Sequence, residues 1–533
     1  MIKSESRIHN SQFVIRNTCL ARRCKCSQFT ILTIILLAFA LNLHALAADS
    51  FWGDEIFTAI FAGQAPTEVI RWTAGDIHPP LYYLLAGAFT RLTIPLGLNQ
   101  APSAISDWLW RFPSTLAVVL TVAVTYRLAF HLTDPVDFRS PLSASRPVAI
   151  SAALLLAVAP IAIKYGQEAR MHALFMLLSG LSTWLFFQAM AQPHRWSRWL
   201  AFAAVATANI YTMYFGFLIL AAQAGYLLFT FIKSQTRRAS VSNPTTHNPN
   251  LTAQIIGFMA ATALIGILYL PWWPVLFDIL RRRAAVGAIE GGVGDPLEFI
   301  RGVVRALGPL PEPVAWLFLL LFITGVIFLA RRRWPVAAFA ALWLGLPALL
   351  PIFLGDPRAL QFRYAFVLPV YLIVMAYAVW QIAARLGSWR QSDRPDLHSP
   401  ISTLPLGQYL IWILTTLSFM ASLGVYQQTK PDWRGAAAYL DEHTAPADLI
   451  LIGPLWDEGR FIDYYYRGQA QLLTPAVMVT NIERRVESLR ASGGRIWAVN
   501  RFAPAESPVT KNVVFTGVVI SEPTVPVYEP ALL

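Results

Sequence analysis

The chain has 533 residues, of which 56% are hydrophobic and only 14% charged. Soluble domains carry about 25% charged residues, so a chain this long and this apolar is excluded from folding around one soluble core and reads as a polytopic membrane protein. The formal net charge of +12 does not point to nucleic acid. Much of it sits in short clusters between apolar runs, such as Arg237-Arg238, Arg331-Arg332-Arg333 and Arg385/Arg390/Arg394, as in loops that stay on the cytoplasmic side of a membrane.

In chain order, residues 1–28 form a basic tail carrying Lys3, Arg7, Arg16, Arg22, Arg23 and Lys25, expected in the cytoplasm. The three cysteines, Cys19, Cys24 and Cys26, all lie in it. They indicate a reduced tail and no disulfide framework. Phe29 to Ala48 is long enough to cross a bilayer, which takes about 20 residues. The "ALA" near its end mimics a signal-peptidase site, but the further spans downstream favour an uncleaved first helix.

Further spans are expected near 109–131, 147–164, 171–190, 199–214, 216–232, 253–277, 314–330, 335–354, 364–385 and 408–425, about eleven in all with the first. "HPPLYYLLAGAFTRL" (78–92) decides the topology. Counted as a span, it puts Arg139, Arg146, Arg195, Arg198 and Arg331–Arg333 outside. Its length of about 15 residues, with Pro79-Pro80 at its start and Arg91 near its end, fits a helix lying in the interface. That reading makes 49–107 one external loop of a transmembrane domain (29–425), with the N-terminus inside and the C-terminus outside. "KYGQEAR" (164–170), a Gly-rich loop from about Asp278 to Pro313, and "GDPRALQFR" (355–363) also lie outside; Arg281–Arg283 in the second is an exception to the positive-inside tendency. Residues 426–533 alternate helix and strand. An amphipathic helix (433–443) precedes a buried strand (449–452), and "NIERRVESLRASGGRIWAVN" repeats the pattern with a strand at 495–499. A small α/β domain on the outer face is expected there.

The outward-facing polar groups carry the candidate chemistry. Asp54 and Glu55 follow the first helix, His78 precedes the paired prolines, and Glu168, Arg170 and His172 sit where the third expected span turns into the fourth. Such groups can converge on one external site near the membrane surface. A carboxylate there can act as a general base, and His with Glu or Asp can hold a divalent cation. Each also has a plainer role: a solvated helix end for the acids, a helix start for His-Pro-Pro, and a local salt bridge for "QEAR".

The ordered set "DEIFTAIFAG", "DIHPPLYYLLAGAFTRL", "WRFPSTLAVVLTVAVTYRLA", "AVAPIAIKYGQEARMHALF", "FRYAFVLPVYL" and "DWRGAAAYL" resembles glycosyltransferase family 39 and its relatives. These are GT-C membrane enzymes related to protein O-mannosyltransferases and lipid A aminoarabinose transferase. The resemblance is strong from about Asp49 to Gln188 and looser beyond. It implies a helical GT-C-like bundle in the plasma (inner) membrane that moves a sugar from a polyprenyl-phosphate donor to a hydroxyl on protein, lipid or glycan. It implies Asp54 as catalytic base with Glu55 supporting it, and His78 lining the site. Arg170 and the Arg363-Tyr364 pair match positions near the lipid phosphate. Where several relatives carry an acid after the third span, this chain has His172, with Glu168 one turn earlier. His78, Glu168 and His172 can therefore make a divalent-metal site, or His78 can simply hydrogen-bond. The competing readings are a transporter or flippase of lipid-linked sugars, which calls for ionisable residues near the midplane and repeated halves, and a polysaccharide polymerase or ligase using the same donors.

Overall fold

The computed structural model describes residues 28–97, 103–133, 145–239, 249–290, 295–309, 311–354, 361–393, 406–452, 458–473, 493–500, 509–515 and 518–523. The cysteine-bearing tail (1–27), most of the loop 355–363, the side chain of Arg363 and the helix expected in 481–490 lie outside the described residues.

The apolar runs expected to span are mostly helical, although the first is helical only as far as Leu43 and 147–164 is broken at 158–159. The bundle comprises α1 (Gln28–Leu43), α5 (Ala104–Thr133), α6 (Ser145–Ala157), α7 (Pro160–Gly166), α8 (His172–Ala191), α9 (Trp196–Thr212), α10 (Gly216–Ala239), α11 (Pro249–Tyr269), α12 (Trp273–Glu290), α14 (Glu312–Leu354), α15 (Leu368–Asp393) and α16 (Leu406–Leu423). Among the described residues, 7 helices are long and apolar enough to cross a membrane, or 8 if the bent pair α6–α7 is one span. The runs 314–330 and 335–354 form one helix broken at Arg333, whose φ of −143° and ψ of 62° leave the helical region. At the break the Arg333 guanidinium donates to the carbonyls of His131 (2.9 Å) and Leu132 (3.2 Å), satisfying the end of α5.

Between α1 and α5 lie three short helices, α2 (Gly53–Ala62), α3 (Pro66–Gly75) and α4 (Leu81–Thr93). The 13 residues of α4 cover about 20 Å at 1.5 Å each, short of the roughly 30 Å hydrocarbon core. The helix keeps Tyr82, Tyr83 and Ala86 buried and Leu85 and Leu92 exposed. Its Arg91 reaches back to the Ala62 carbonyl (3.2 Å) and the Gln64 carbonyl at the end of α2. Those carbonyls have no partner within the helix, and a cation there also complements the helix dipole.

The Gly-rich region 278–313 departs from the expected loop. Apart from residues 291–294 and 310, which lie outside the described residues, α12 continues through it to Glu290 and α13 (Pro296–Leu307) follows. The Asp295 carboxylate caps α13 by accepting from the Leu297 N–H at 2.9 Å, with Pro296 in the first turn. Phe299, Val303, Val304 and Leu307 are buried at the i, i+4, i+5, i+8 spacing of an amphipathic helix. The glycines nearby hid that pattern.

After α16 the chain forms α17 (Trp433–His443), β1 (Leu449–Ile452), α18 (Glu458–Tyr465), β2 (Gln471–Leu473), β3 (Ile496–Asn500), β4 (Val509–Phe515) and β5 (Val518–Pro523). The strands make one sheet in the order β2-β1-β3-β5-β4. The first three are parallel, with Leu449 opposite Gln471 on one side and Ile496 on the other. β5 runs antiparallel to β3 and pairs with β4. Leu449, Ile450 and Ile452 are buried, as in a strand covered on both faces.

The α2–α4 packing makes a prediction. A Cβ at Gly87 would overlap the Ala62 carbonyl, and backbone cannot rotate out of the way. Gly87→Ala is expected to destabilise by about 1–3 kcal/mol through overpacking, read as a lower thermal midpoint in detergent. An unchanged midpoint would contradict this packing.

Candidate active site at one end of the bundle

The site forms where α1 ends, α5 begins and α7 turns into α8. Arg111, in the second and third turns of α5, organises it while only 2% exposed. Its guanidinium grips Glu55 by two parallel bonds, Nε to Oε1 at 2.7 Å and Nη2 to Oε2 at 2.8 Å. Nη1 donates to the carbonyls of Leu46 and Asp49, both at 2.9 Å, and Nη2 to that of Ser50 at 3.1 Å. These five bonds match the five N–H donors of an arginine.

Glu55 is fully buried. Besides Arg111 it accepts from Lys430 Nζ (3.0 Å), the Ala169 N–H (2.9 Å) and the Trp52 N–H (3.4 Å). Burial alone would raise its pKa. The charges of Arg111 and Lys430 and the hydrogen bonds from Arg111 and Ala169 outweigh that and hold it at about 2. One carboxylate thus joins α2, α5, the turn after α7 and the segment leading into α17. Both of its oxygens are occupied and shielded from solvent, so the expected supporting residue is bonded to its protein neighbours on every side.

Asp54, one residue earlier, points the other way. Its side chain is 47% exposed and its Oδ2 lies 3.1 Å from Arg170 Nη2, whose own side chain is 5% exposed. Arg170 Nη1 also donates to the Asp54 carbonyl at 3.3 Å. The backbone of Arg170 is held by the Ser114 hydroxyl, which donates to its carbonyl at 3.2 Å. Ser114 in turn shares a 2.9 Å hydrogen bond with the Tyr82 hydroxyl. Burial pushes the Tyr83 hydroxyl up to about 12, the Arg170 charge opposing and the Asp76 and Asp54 charges adding. Tyr83 is therefore a neutral donor at the same place.

His78 sits in the turn between α3 and α4, its Nδ1 3.0 Å from Asp76 Oδ2. Burial works against the ionised Asp76, but the hydrogen bond and charge of His78 and the charge of Arg170 win and lower its pKa. The same turn reaches α12, where Arg282 donates to the Gly75 carbonyl at 3.2 Å while pairing with Asp278 at 3.0 Å. Glu168 is buried near Lys430, Glu55 and Arg170. Burial pushes it up to about 7, with Lys430, Lys164 and Arg170 pulling down and Glu55 pushing up.

His172 and Tyr364, also expected in the site, have contacts of their own. The His172 ring begins α8 and packs on the Tyr165 ring at 4.4 Å. Tyr364 is buried, donating to the Pro347 carbonyl at 2.6 Å, so its hydroxyl serves the fold. The proposed metal set of His78, Glu168 and His172 is not assembled: among the described residues no three His, Cys, Asp or Glu side chains could hold one metal ion. His78 is turned onto Asp76 and His172 onto an aromatic ring, which is why spacing alone misplaced them. Sequence reasoning overlooked Asp76, Arg111 and Lys430. The signals were present, since "DIHPP" and "WRFPS" were already part of the resemblance, but a lone Arg next to aromatics reads as interfacial anchoring.

The family described as Dolichyl-phosphate-mannose-protein mannosyltransferase matches residues 77–261. No curated protein sequence matches the chain. Among solved structures, ArnT from Cupriavidus metallidurans in the apo state superposes with a TM-score of 0.52 at 13% identity, over 93% of this chain and 98% of that one. The same enzyme bound to undecaprenyl phosphate gives 0.50 at 13% identity, over 92% and 97%. The Archaeoglobus fulgidus oligosaccharyltransferase in complex with Zn and sulfate gives 0.51 at 11% identity, over 89% and 68%. The fold is that of the GT-C membrane glycosyltransferases.

The Glu55–Arg111 pair makes a prediction of its own. Removing one partner of a buried pair strands the other charge and costs about 3–5 kcal/mol, so Glu55→Gln should lower the thermal midpoint sharply near neutral pH. The Glu55 pKa is lowered from 4.5 to about 2. Its contribution is therefore complete above pH 4.5 and is lost as pH falls toward 2. The gap between the wild type and Glu55→Gln should close over that interval; a gap independent of pH would contradict an ionised Glu55.

Proposed function

We propose that the chain is a membrane glycosyltransferase that moves a sugar from a polyprenyl-phosphate donor to an acceptor hydroxyl at the outer face, with inversion. The observation that carries this is the pairing of a half-exposed carboxylate, Asp54, with a buried guanidinium, Arg170, 3.1 Å away. A base and a phosphate-binding fork side by side are what such a transfer needs. Undecaprenyl phosphate in the ArnT structure supports the donor class.

In the reaction, an Asp54 oxygen takes the proton of the acceptor hydroxyl. The acceptor oxygen bonds to the anomeric carbon from the side opposite the phosphate, and the bond from that carbon to the phosphate oxygen breaks. The polyprenyl phosphate leaves with the electron pair. Arg170 meets the developing charge with fixed N–H donors, and the Tyr83 hydroxyl stands beside it. His78, oriented by Asp76, lines the same turn. The long apolar tail stays in the bilayer, which accounts for a site at the end of a helical bundle. Arg363 is a further phosphate candidate by resemblance only. Among the described residues no three His, Cys, Asp or Glu side chains form a metal set, and no step is assigned to a metal.

A transporter would place ionisable residues near the midplane. Here Glu55, Arg111, Glu168, Arg170 and Lys430 gather at one end. The opposite end holds Arg198, whose guanidinium donates to Gln188, and Arg331–Arg333. That asymmetry supports a cytoplasmic location for the arginine end and an outer location for Asp54.

Purified protein given a polyprenyl-phosphate sugar should release polyprenyl phosphate. Asp54→Asn should cut that rate by at least about 100-fold, the scale of a general base, while thermal stability stays near wild type. Turnover persisting in Asp54→Asn would remove Asp54 from the mechanism. A single cysteine placed at Gly53 in a cysteine-free background should be labelled by an impermeant thiol reagent from outside intact cells. Labelling from the cytoplasmic side alone would reverse the orientation.

A further inference from the structure

The segment between α16 and α17 puts a cation at the site from more than 370 residues downstream in the chain. Lys430 Nζ lies 3.0 Å from Glu55 Oε2, with its side chain 24% exposed against 0% for Glu55. The approach is fixed on both sides. Tyr426 donates to the Leu41 carbonyl at 2.6 Å. The Ser50 hydroxyl donates to the Pro431 carbonyl at 2.7 Å and accepts from the Trp433 N–H at 3.0 Å. Arg434 pairs with Asp107 at 2.8 Å and donates to the carbonyls of Ala47 and Ala48 at 3.2 and 3.0 Å. Lys430 is therefore seated in one place, unlike a lysine that swings at a surface.

We propose that Lys430 is a positioning residue for the transfer, holding Glu55 so that the Ala169–Arg170 turn presents its guanidinium to Asp54. The route is short. Lys430 bonds one oxygen of Glu55, the other oxygen accepts from the Ala169 N–H at 2.9 Å, and the next residue, Arg170, pairs with Asp54 at 3.1 Å. Both ends of this relay meet at consecutive residues of α2, Asp54 and Glu55. Without the ammonium, Oε2 of Glu55 would keep only Arg111 Nη2, on the side of α5, and the long bond from the Trp52 N–H. The carboxylate would then shift toward Arg111 and lengthen its bond to the Ala169 N–H. This inference rests on the glycosyltransferase reading of Asp54 and Arg170.

The test uses the full chain with Lys430→Met and Lys430→Arg, assayed for polyprenyl-phosphate release from a polyprenyl-phosphate sugar. A misplacement of about 1 Å can cost about 100-fold. Lys430→Met should therefore lose about 10- to 100-fold in kcat with donor KM within about twofold of wild type. Lys430→Arg, which keeps the charge and can still reach Glu55, should recover most of kcat. Amide exchange of the peptide spanning 166–171 should rise in Lys430→Met and return in Lys430→Arg. Wild-type kcat in Lys430→Met, or a loss confined to KM, would overturn the proposal, as would Lys430→Arg being no better than Lys430→Met. If the wild type itself releases no polyprenyl phosphate, the glycosyltransferase reading fails. The exchange measurement then still decides whether Lys430 orders the turn, and unchanged exchange in Lys430→Met would overturn it.

Discussion

A buried arginine with all its donors used is the constraint on which the rest of the structure depends. Arg111 projects from the start of α5, beyond the part of that helix needed to cross a bilayer. The 30 residues of α5 measure about 45 Å against a hydrocarbon core of roughly 30 Å. Its guanidinium holds the carbonyls of Leu46, Asp49 and Ser50, so the chain leaving α1 is bound to α5 before α2 begins. Its fork on Glu55 then sets the rotation of α2. With Glu55 turned inward, its neighbour Asp54, about 100° away around the helix, faces outward. The acid pair in the sequence is thus a division of labour imposed by helical geometry: one acid anchors and the other is available for chemistry.

That anchoring also explains why so many charges can be buried at one end of an apolar bundle. A charge removed from water is costly unless paired and hydrogen-bonded. Several of the charges there are held in this way: Arg111 and Lys430 with Glu55, Arg170 with Asp54, and Arg434 with Asp107, which also accepts from the Tyr465 hydroxyl at 2.8 Å. Several of these pairs join distant parts of the chain, so the site exists only when the first loop, the α7–α8 turn and the segment before α17 are all in place. At the opposite end, Arg198 and Arg333 donate to residues that close α8 and α5. Those cations do the ordinary work of finishing helices.

Much of the bundle was legible because a membrane helix announces itself by length and apolarity. The runs at 109–131, 171–190 and 408–425 needed no tertiary information to be recognised. The helix at 433–443 and the strand at 449–452 were equally plain from their period. The amphipathic helix α13 was not, since glycines on either side outweighed its four buried residues. In the site, Arg170 and the order of the two acids, Asp54 as base with Glu55 supporting it, could be named from the ordered motifs, but what holds Glu55 could not. Its partners Arg111 and Lys430 are 56 and 375 residues away from Glu55. The metal set failed for a related reason: spacing along the chain does not say which way a histidine ring turns, and Asp76 and Tyr165 decided that for His78 and His172.

The proposed meeting point for the donor phosphate is Arg170, beside Asp54, on a frame held by Glu55 and Arg111. The most direct measurement is an experimental structure of the full chain with a polyprenyl phosphate bound. The phosphate is expected on the Arg170 guanidinium, with the Asp54 carboxylate next to the position of the sugar and the Glu55–Arg111 fork unchanged. A phosphate seated at the opposite end of the bundle near Arg198 and Arg333, or one that draws Arg111 away from Glu55, would contradict it.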